Sequence, residues 1–520
     1  MYLTQCLHRM VQQAPDAPAA TDAKGAIDWA GLRDRVARLA GALRASGIEP
    51  GDRVAMLAPN GTDFLTYLLG TLWAGGVVNP VNLRWTPAEI GFSLEDCGTH
   101  ILIVDAAFSA LVPAIREHAP GLRHVLTIGG GSDDDALDYE IWLAGAEPVE
   151  DTLRRGDALA AILYTGGTTG TPKGVMLSHN SLSASMLGTI ARTGPASAHY
   201  LHTAPLFHIG ALSGLFIALY SGSHSRFLPA FEPVAVMEAI DGEGVTELFM
   251  VPTMIRMLID HPRFGAFDMT NVTRIRYGAS SIDGALLDRA IAAFPNAAFQ
   301  QAYGMTELSP VATVLGPEDH GPDARSDGRL RSAGRASTIC EVRIVDMQDE
   351  EVPRGEIGEI VVRGPNVMLG YWNRPDATAE ALRNGWMHTG DMGRMCPAGY
   401  VTVVDRLKDM IISGGENIYS AEVESALSTH PQVGQAAVIA IPDERWGERV
   451  HAVIVPHAGT APDLQSLSDH CRTTIAGYKV PRSYELADAL PLSAAGKVLK
   501  NVLRERALAA QERQGECVPQ

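Results

Sequence analysis

The chain has 520 residues, of which 46% are hydrophobic and 20% are charged, as in globular proteins large enough for more than one domain. Its formal net charge of −18 argues against nucleic acid as a partner, because phosphate backbones need a basic surface. A small anionic ligand, held by a few local lysines and arginines, stays compatible with that charge.

Cysteine usage and the N-terminus predict the compartment. The six cysteines include no C-x-x-C pair, which is typical of reduced thiols rather than of a disulfide frame or a zinc site. The first residues, MYLTQCLHRMVQQAPDAP, lack the apolar core of a signal peptide. The longest apolar run, near residues 209–220, is too short to span a bilayer. We therefore expect a cytoplasmic protein without an integral membrane segment.

Helical and strand patterns alternate at the start of the chain. Residues 28–47 have helical spacing and a closing glycine, and residues 52–59 have the apolar character of a strand. A second helix is predicted over 62–76 and a second strand over 100–105. Such alternation favours parallel sheets covered by helices.

The stretch YTGGTTGTPKG, residues 164–174, contains four glycines, four threonines and a lysine. Glycine N–H groups can close on an anion, hydroxyls add donors and a lysine adds charge, so the stretch is typical of a phosphate loop. We predict a buried strand over 158–164 before it and a helix opening at 178–190 after it, which is the phosphate-binding arrangement. The Walker spacing fails, because Pro172 occupies the place of the second glycine. A solvated surface turn is the alternative.

After about residue 335 the pattern becomes richer in strands. Short strands are predicted over 339–346, 355–364 and 399–406, joined by glycine turns. From residue 421 the order helix, strand, strand indicates a compact α+β part. A boundary near 405–410 would divide the chain into one large and one small domain.

The stretch QQAYGMTE, residues 300–307, combines three side chains that suit a nucleotide. Tyr303 would stack on a base, Thr306 would donate to a phosphate, and Glu307 would hold Mg²⁺, which prefers a carboxylate together with phosphate oxygens. The alternative is a strand-end turn with a solvated glutamate.

Three later stretches carry weaker signals of the same kind. Asp391 ends HTGD, after what is predicted to be a glycine turn, where it would accept hydrogen bonds from ribose hydroxyls or be an ordinary turn residue. The segment 405–418, DRLKDMIISGGENI, offers Arg406, or is a linker that ends in a helix N-cap. Lys497 follows a glycine near the end of the chain, where a solvated lysine is the alternative.

Taken together and in this order, the stretches resemble the adenylate-forming superfamily of acyl-CoA synthetases, luciferases and peptide-synthetase adenylation domains. The resemblance covers nearly the whole chain and also includes PLFHIG at 205–210. It implies an α/β fold with a large N-terminal AMP-binding domain, residues 1–405, of parallel-type sheets covered by helices plus a β-rich subdomain. A hinge at 406–410 and a small mobile α+β domain at 411–520 would follow.

The resemblance also implies a reaction that uses ATP, Mg²⁺ and coenzyme A. A carboxylate attacks the α-phosphate of ATP to give acyl-AMP and pyrophosphate, and a thiol then displaces AMP. The catalytic residues implied are Lys497, Thr306, Glu307 and His208, and the metal residues implied are Glu307 and Thr165. The implied ATP-binding residues are Thr165, Gly166, Gly167, Thr168, Thr169, Lys173, Gly278, Ala279, Ser280, Gln301, Ala302, Tyr303, Thr306, Asp391, Arg406 and Lys497.

Further roles follow from the same resemblance. Lys408 matches the hinge residue, and Gly415 would line the passage for the pantetheine arm of coenzyme A. The residues implied for the acyl pocket are His208, Gly210, Gly278 and Gly304. His208 has a second interpretation as a core histidine packed between Phe207 and Ile209. The chain departs from the family at Gly166 and Ala495, where relatives often have serine and threonine.

We expect an AMP-forming acid–thiol ligase that acts on a medium- or long-chain fatty acid or on an aryl or phenylpropenoid acid. The pocket stretches YGASSI and PVATVL contain no charged residue to pair a second carboxylate, which disfavours malonate-like acids. The alternatives are a stand-alone adenylation enzyme that loads a carrier protein, a luciferase-like oxidase, and a non-catalytic acyl-adenylate or nucleotide sensor. A homodimer is a possible assembly.

Overall fold

The computed structural model describes residues 1–130, 137–165, 172–196, 198–443, 445–492 and 498–515, with side chains described up to residue 510. The chain forms two compact units. Unit 1 comprises Met1–Val342 and Val362–Met387, and unit 2 comprises Arg343–Val361 and His388–Gln520. The predicted domain boundary at 405/406 lies within unit 2 and stays a prediction.

The secondary structure alternates between helices and strands, as the sequence predicts. The helices are α1 (Gln5–Gln13), α2 (Trp29–Ala45), α3 (Thr62–Ala74), α4 (Pro87–Asp96), α5 (Val112–His118), α6 (Tyr139–Ala144), α7 (His179–Thr193), α8 (Ile209–Ser221), α9 (Pro233–Glu243), α10 (Pro252–Ile259), α11 (Gly284–Ala293), α12 (Pro322–Ser326), α13 (Pro375–Ala381), α14 (Ser420–Ser428), α15 (Leu464–Thr474) and α16 (Lys500–Gly515).

The strands are β1 (Pro18–Asp22), β2 (Gly25–Asp28), β3 (Arg53–Leu57), β4 (Val77–Pro80), β5 (Ile101–Asp105), β6 (His124–Ile128), β7 (Leu137–Asp138), β8 (Leu159–Thr165), β9 (Lys173–Ser178), β10 (His199–His202), β11 (His224–Phe227), β12 (Glu247–Met250), β13 (Arg274–Gly278), β14 (Ala298–Gly304), β15 (Val311–Leu315), β16 (Arg335–Ala336), β17 (Glu341–Val345), β18 (Ile357–Arg363), β19 (Gly370–Tyr371), β20 (Met387–Met395), β21 (Val401–Arg406), β22 (Ile411–Ser413), β23 (Glu416–Ile418), β24 (Val433–Asp443), β25 (Gly447–Pro456) and β26 (Ser483–Leu486).

The first sheet of unit 1 has eight strands in the order β19-β9-β8-β4-β3-β5-β6-β7. Its central strands β8, β4, β3, β5 and β6 run parallel. They read as short apolar runs because helices cover both faces of a parallel sheet. Helix α2 begins after Asp28, whose carboxylate accepts a hydrogen bond from Gly31 N at 2.7 Å, and α3 ends at Gly75 with φ of +88°. The strands and helices predicted over 28–105 are confirmed.

Near residues 164–174 the predicted strand and the predicted helix are both confirmed, but a strand between them was missed. Strand β8 matches the strand predicted over 158–164 and α7 matches the helix predicted at 178–190, but the antiparallel strand β9 precedes that helix, with Thr165 opposite Lys173. The reason is the apolar segment at 174–178, GVMLS, which extends as a second strand. Helix α7 begins only at His179, where Ser178 Oγ accepts a hydrogen bond from Ser181 N at 2.9 Å.

The second sheet of unit 1 has nine strands in the order β16-β15-β14-β13-β12-β10-β11-β1-β2. Strands β11, β10, β12, β13 and β14 run parallel to one another. Apolar side chains from β12, β13 and the covering helices α9 and α11 form a buried cluster that includes Leu248, Ile275, Ile240 and Leu287. The α/β class predicted from the sequence is confirmed.

Unit 2 contains two smaller sheets. The first has the order β17-β18-β20-β21, which confirms the strand-rich part predicted after residue 335. The second has the order β23-β22-β25-β24, with β26 paired to β25, and helices α14 and α15 pack against it through a cluster that includes Val423, Leu467 and Val438. The helix–strand–strand order predicted from residue 421 is confirmed by α14, β24 and β25. In the described part of the chain no helix is long and apolar enough to cross a membrane.

Candidate active site

Several of the residues singled out in the sequence lie at one edge of the nine-stranded sheet. Strands β10, β12, β13 and β14 are parallel neighbours, so their carboxyl ends meet at the same edge. Residues 278–280 end and follow β13, residues 301–306 end and follow β14, and His208 follows β10. The carboxyl edge of a parallel sheet is where such folds bind ligands.

Two glycines at this edge are required by close backbone contacts. A Cβ on Gly278 would lie 2.3 Å from the carbonyl oxygen of Ala302, and a Cβ on Gly304 would lie 1.8 Å from the carbonyl oxygen of Pro310. The absence of a side chain therefore lets neighbouring main chains pack. Ala279, which follows Gly278, has a φ of +65° and so turns the chain sharply at the strand end.

The predicted acyl-pocket residues Gly210 and His208 lie at the start of α8. A Cβ on Gly210 would meet Phe249 Cζ at 3.3 Å, so the Phe249 ring of β12 faces this helix end. His208 occupies the N-cap position of α8, is half-buried, and has its ring centroid 4.4 Å from that of Phe207. Sequence reasoning missed Phe249, because one aromatic residue in an apolar strand carries no signal of its own.

Glu307 is buried beside a tyrosine that sequence reasoning missed. The hydroxyl of Tyr371 donates a hydrogen bond to Glu307 Oε1 at 2.8 Å. The ammonium of Lys173 lies over the ring of Tyr371, 5.1 Å from its centroid. Burial, together with the adjacent charge of Glu307, raises the pKa of Tyr371, so the phenol is a donor at neutral pH. Thr306 precedes Glu307 in the same short helical turn.

The short strand β19 brings these three residues together. Tyr371 pairs with Val175 of β9, two residues after Lys173. Met368 N donates to the carbonyl oxygen of Glu307 at 2.8 Å, which fixes the other end of the segment. Tyr371 and Glu307 are 64 residues apart in the chain, so no local pattern predicts their contact.

The buried carboxylate of Glu307 fits a magnesium ion that is held mainly by phosphates. No group of three or more His, Cys, Asp or Glu side chains that could hold a metal occurs among the described residues. Mg²⁺ commonly binds one or two carboxylates and completes its shell with substrate phosphates and water. A single buried carboxylate, as at Glu307, fits that requirement.

Asp391 and Arg406 of unit 2 face each other across β20 and β21. Arg406 Nε lies 3.2 Å from Asp391 Oδ1, and the Asp391 side chain is 9% exposed whereas that of Arg406 is 47% exposed. HTGD therefore lies inside strand β20 rather than in the predicted turn, although Gly390 has a φ of +69°. The reason is that Gly390 N donates to Glu359 Oε1 at 2.9 Å, which ties the segment to its neighbour β18.

Side-chain hydrogen bonds hold both ends of the predicted hinge. Asp405 Oδ2 accepts from Ser420 Oγ at 2.7 Å, and Asp409 Oδ1 accepts from Arg504 at 2.5 Å. Between them, Lys408 lies in a single 3₁₀ turn. Partial burial lowers the pKa of Lys408, and nearby positive charges, including that of Arg504, lower it further.

Gly414 and Gly415 form the two-residue turn of a hairpin rather than part of a linker. Ser413 pairs with Glu416, and the two glycines have φ values of +62° and +87°. These values are those of a type I′ turn, which glycine adopts without steric cost. A Cβ on Gly415 would meet no atom within 4 Å, so its backbone conformation accounts for the glycine. Its contact with coenzyme A stays a prediction.

The remaining predicted residues divide between described and undescribed positions. Gly166, Gly167, Thr168, Thr169 and Lys497 lie outside the described residues. Thr165 is the last residue of β8. Of the described residues, Lys173, Gly278–Ser280 and Gln301–Glu307 belong to unit 1, and Asp391, Arg406, Lys408 and Gly415 belong to unit 2.

Comparison with known families gives two matches that together span most of the chain. Residues 7–372 match the family model described as AMP-binding enzyme. Residues 422–497 match the model described as AMP-binding enzyme C-terminal domain.

Three similar proteins illustrate the range of relatives. A feruloyl-CoA synthase of Amycolatopsis sp. is 42% identical over 508 residues, which cover 96% of this chain and 97% of the relative. The fatty acid–[acyl-carrier-protein] ligase ScoC of Streptomyces coeruleorubidus is 34% identical, covering 97% and 96%. The crystal structure of ATP-bound MatB from Rhodopseudomonas palustris superposes with a TM-score of 0.87 at 31% identity and covers 97% of this chain and 99% of that one.

Proposed function

Because this chain belongs to the family of AMP-binding enzymes, we propose that it joins an aryl acid of the phenylpropenoid class to coenzyme A. It is an AMP-forming acid–CoA ligase whose substrates are aryl or fatty acids. One observation carries the choice of an aryl acid. The chain is 42% identical to a feruloyl-CoA synthase over 96% of its length.

The first step forms the mixed anhydride. A carboxylate oxygen attacks the α-phosphorus of ATP, and the bond to pyrophosphate breaks. Lys497 would offset the repulsion between the two anions, because its positive charge is opposite to the negative charge that develops on the α-phosphate. Thr165, Lys173 and the loop between them would hold the β- and γ-phosphates.

Residues at the carboxyl edge of the nine-stranded sheet of unit 1 would hold the nucleotide. Tyr303 would cover the adenine, with Gln301, Ala302 and residues 278–280 nearby, and Thr306 would donate to the α-phosphate. Asp391 would accept hydrogen bonds from the ribose hydroxyls. Glu307 and Thr165 would hold Mg²⁺, which supplies positive charge to the phosphates when it is bound.

The second step transfers the acyl group. The sulfur of coenzyme A attacks the acyl carbon, the bond to AMP breaks, and the thiol proton is released. Residues 1–405 would form the large domain and 411–520 the mobile one, turning at 406–410 about Lys408. Gly415 would then line the path of the thiol arm, and His208, Gly210, Gly278 and Gly304 would surround the acid.

Pyrophosphate release tests the proposal. Purified protein is incubated with ATP, Mg²⁺ and coenzyme A, and with one acid at a time from a panel of acetate to palmitate, benzoate, cinnamates and malonate. We expect the fastest release with ferulate or another cinnamate, together with an acyl-CoA product. Release with fatty acids alone would contradict the choice of an aryl acid, and no release with any acid would contradict the ligase activity.

A second candidate function is the loading of a carrier protein. The observation that favours it is the 34% identity to a fatty acid–[acyl-carrier-protein] ligase. The same acids are tested with a phosphopantetheinylated carrier protein in place of coenzyme A. Faster transfer to the carrier than to coenzyme A would favour this function. The homodimer and the cytoplasmic location stay predictions.

A further inference from the structure

Tyr371 contacts two residues that the proposed reaction uses separately. Its hydroxyl donates to Glu307 Oε1 at 2.8 Å, and its ring faces the ammonium of Lys173 at 5.1 Å from the centroid. Glu307 and Lys173 both have roles in the proposed function, as a metal residue and a phosphate residue. Tyr371 has none there.

We propose that Tyr371 is a positioning residue that fixes the carboxylate of Glu307 for the magnesium–nucleotide and keeps the ammonium of Lys173 beside it. The inference rests on the proposed function, since it takes Glu307 to hold Mg²⁺. It goes beyond that function by giving a role to Tyr371, which contacts both Lys173 at the start of β9 and the carboxylate of Glu307.

The hydrogen bond is the part of the contact that orients the carboxylate. Glu307 is only 6% exposed, and a buried carboxylate needs donors to offset its lost hydration. A phenol that donates to one oxygen restricts rotation about the bond to the carboxylate carbon. Carboxylates that hold metals are generally hydrogen-bonded in this way, and loss of the donor lowers metal affinity about 10–100-fold.

Tyr371 is itself held by its surroundings, as a positioning residue must be. Its backbone N donates to Thr378 Oγ1 at 2.9 Å, and its strand pairs with Val175. Met368 N donates to the carbonyl oxygen of Glu307 at 2.8 Å. Donor and acceptor therefore belong to one hydrogen-bonded frame within unit 1.

The ring of Tyr371 adds the link to Lys173. An ammonium within about 6 Å of an aromatic centroid is attracted to the face of the ring. Lys173 is the first residue of β9, within the predicted phosphate-binding stretch 164–174. Tyr371 thus contacts Lys173 of β9 through the face of its ring and the carboxylate of Glu307 through its hydroxyl.

If Tyr371 had only a packing role, different effects of mutation would be expected. Tyr371 also lines a surface groove of about 450 Å³, together with Met176, Pro375 and Leu382. If packing in that groove were its role, the ring would matter and the hydroxyl would not. Tyr371→Phe keeps the ring and removes the donor, so it separates the two.

The test compares ATP binding by the full chain, measured calorimetrically in Mg²⁺ and in EDTA. For Tyr371→Phe we expect ATP affinity in Mg²⁺ to fall about 10-fold, with less than about a two-fold change in EDTA. The apparent KM for Mg²⁺ should rise by a similar factor while the KM for the carboxylic acid stays the same. Tyr220→Phe is the matched control, because it removes a phenol that contacts Ser183 Oγ at 3.0 Å rather than a carboxylate.

Glu307→Ala separates failure of this inference from failure of the proposed function. If Glu307→Ala loses the magnesium-dependent part of ATP affinity and Tyr371→Phe keeps it, the positioning role is wrong and the proposed metal role stands. If neither variant loses it, both are wrong. A loss by Tyr371→Phe that is equal in Mg²⁺ and in EDTA, or a matching loss by Tyr220→Phe, would also overturn the inference, because it indicates general damage.

A double-mutant cycle tests the link to Lys173. Lys173→Met should weaken ATP binding less in the Tyr371→Leu background than in the unmodified chain, because the two side chains act on the nucleotide together. Fully independent effects would overturn the link.

Discussion

Gly278 lies opposite Ala302 in the parallel pair β13–β14, and a Cβ on Gly278 would lie 2.3 Å from the carbonyl oxygen of Ala302. That oxygen belongs to the main chain and cannot move without shifting its strand. The close packing of β13 against β14 at the carboxyl edge of the sheet therefore requires glycine at residue 278.

Gly278→Ala should lower the free energy of unfolding by about 1–3 kcal/mol, because the new methyl group forces the strands apart. ATP binding should weaken as well, since residues 278–280 and 301–306 share this edge. Chemical denaturation and calorimetry measure the two effects. Gly284→Ala is the control, because its Cβ would meet no atom within 4 Å at the start of α11. Equal stability of the two variants would contradict the packing argument.

Asp391→Asn should raise the KM for ATP about 10-fold, because it weakens a charged hydrogen-bond acceptor for the ribose. Steady-state kinetics with varied ATP measures the effect. Glu341→Gln, which breaks an exposed pair with Arg363 at 2.8 Å, is the control. The same KM for ATP in both variants would argue against a ribose role.

Acid should destabilise unit 1 through its buried histidines. Burial lowers the pKa of His202 to about 3, since the ring is 4% exposed and stacks between Tyr200 and Phe227. Below pH about 6.5 the unfolded chain takes up a proton that the folded chain excludes, so stability falls as pH falls, by about 1.4 kcal/mol per pH unit for this group. His179 and His224, whose pKa values burial lowers to about 4, act in the same direction.

Between pH 7 and pH 5 the free energy of unfolding should therefore fall by about 2 kcal/mol less in His202→Phe than in the unmodified chain. Denaturant unfolding at the two pH values measures the difference. The exposed His457, changed to Phe, is the control and should keep the original pH dependence. An unchanged pH dependence in His202→Phe would show that this ring is not the group that titrates.

Lys497→Ala should abolish most pyrophosphate release and spare thioester formation from supplied acyl-AMP, because only the first step joins two anions. The two half-reactions are measured separately. Lys479→Ala, which removes a lysine paired with Glu422 at 2.7 Å, is the control. Equal loss in both half-reactions would refute the role given to Lys497.

The fragment 411–520 should fold alone, because it contains all of β22–β26 and a cluster that includes Ile411, Val438 and Leu467. Circular dichroism and a cooperative thermal transition would show this. The fragment 388–520 is the comparison. It adds β20 and β21 without β17 and β18, so it exposes an unpaired strand edge and should aggregate more. A fragment 411–520 without a cooperative transition would contradict the proposed boundary.

The elements that the sequence predicted well have local causes. Helix α2 follows a 3.6-residue apolar period and an Asp N-cap, both visible within residues 28–45. The sequence predicted the strand before residues 166–171 and the helix that begins near residue 178, but it missed the strand β9 between them. Strand pairing with β8 decides the conformation of GVMLS, and a short apolar run does not reveal its partner.

The candidate site shows the same division. Glu307 and Lys173 stand in recognisable stretches, so they could be named from the sequence. Tyr371 could not, because its contact with Glu307 spans 64 residues of chain and its strand pairs with the distant strand β9. Asp391 was singled out from the sequence but expected after a turn, since the hydrogen bond from the Gly390 N–H to the Glu359 carboxylate is also long-range.

Unit 2 is built from two separated segments, Arg343–Val361 and His388–Gln520. A ribosome makes the chain from its N-terminus, so β17 and β18 emerge before β20, which later pairs with β18. Residues 362–387 of unit 1 are synthesised between these strands. Until β20 follows them, the edge of β18 that pairs with β20 has no partner. The nascent chain must therefore keep this edge from pairing with a neighbouring chain until β20 has emerged from the ribosome.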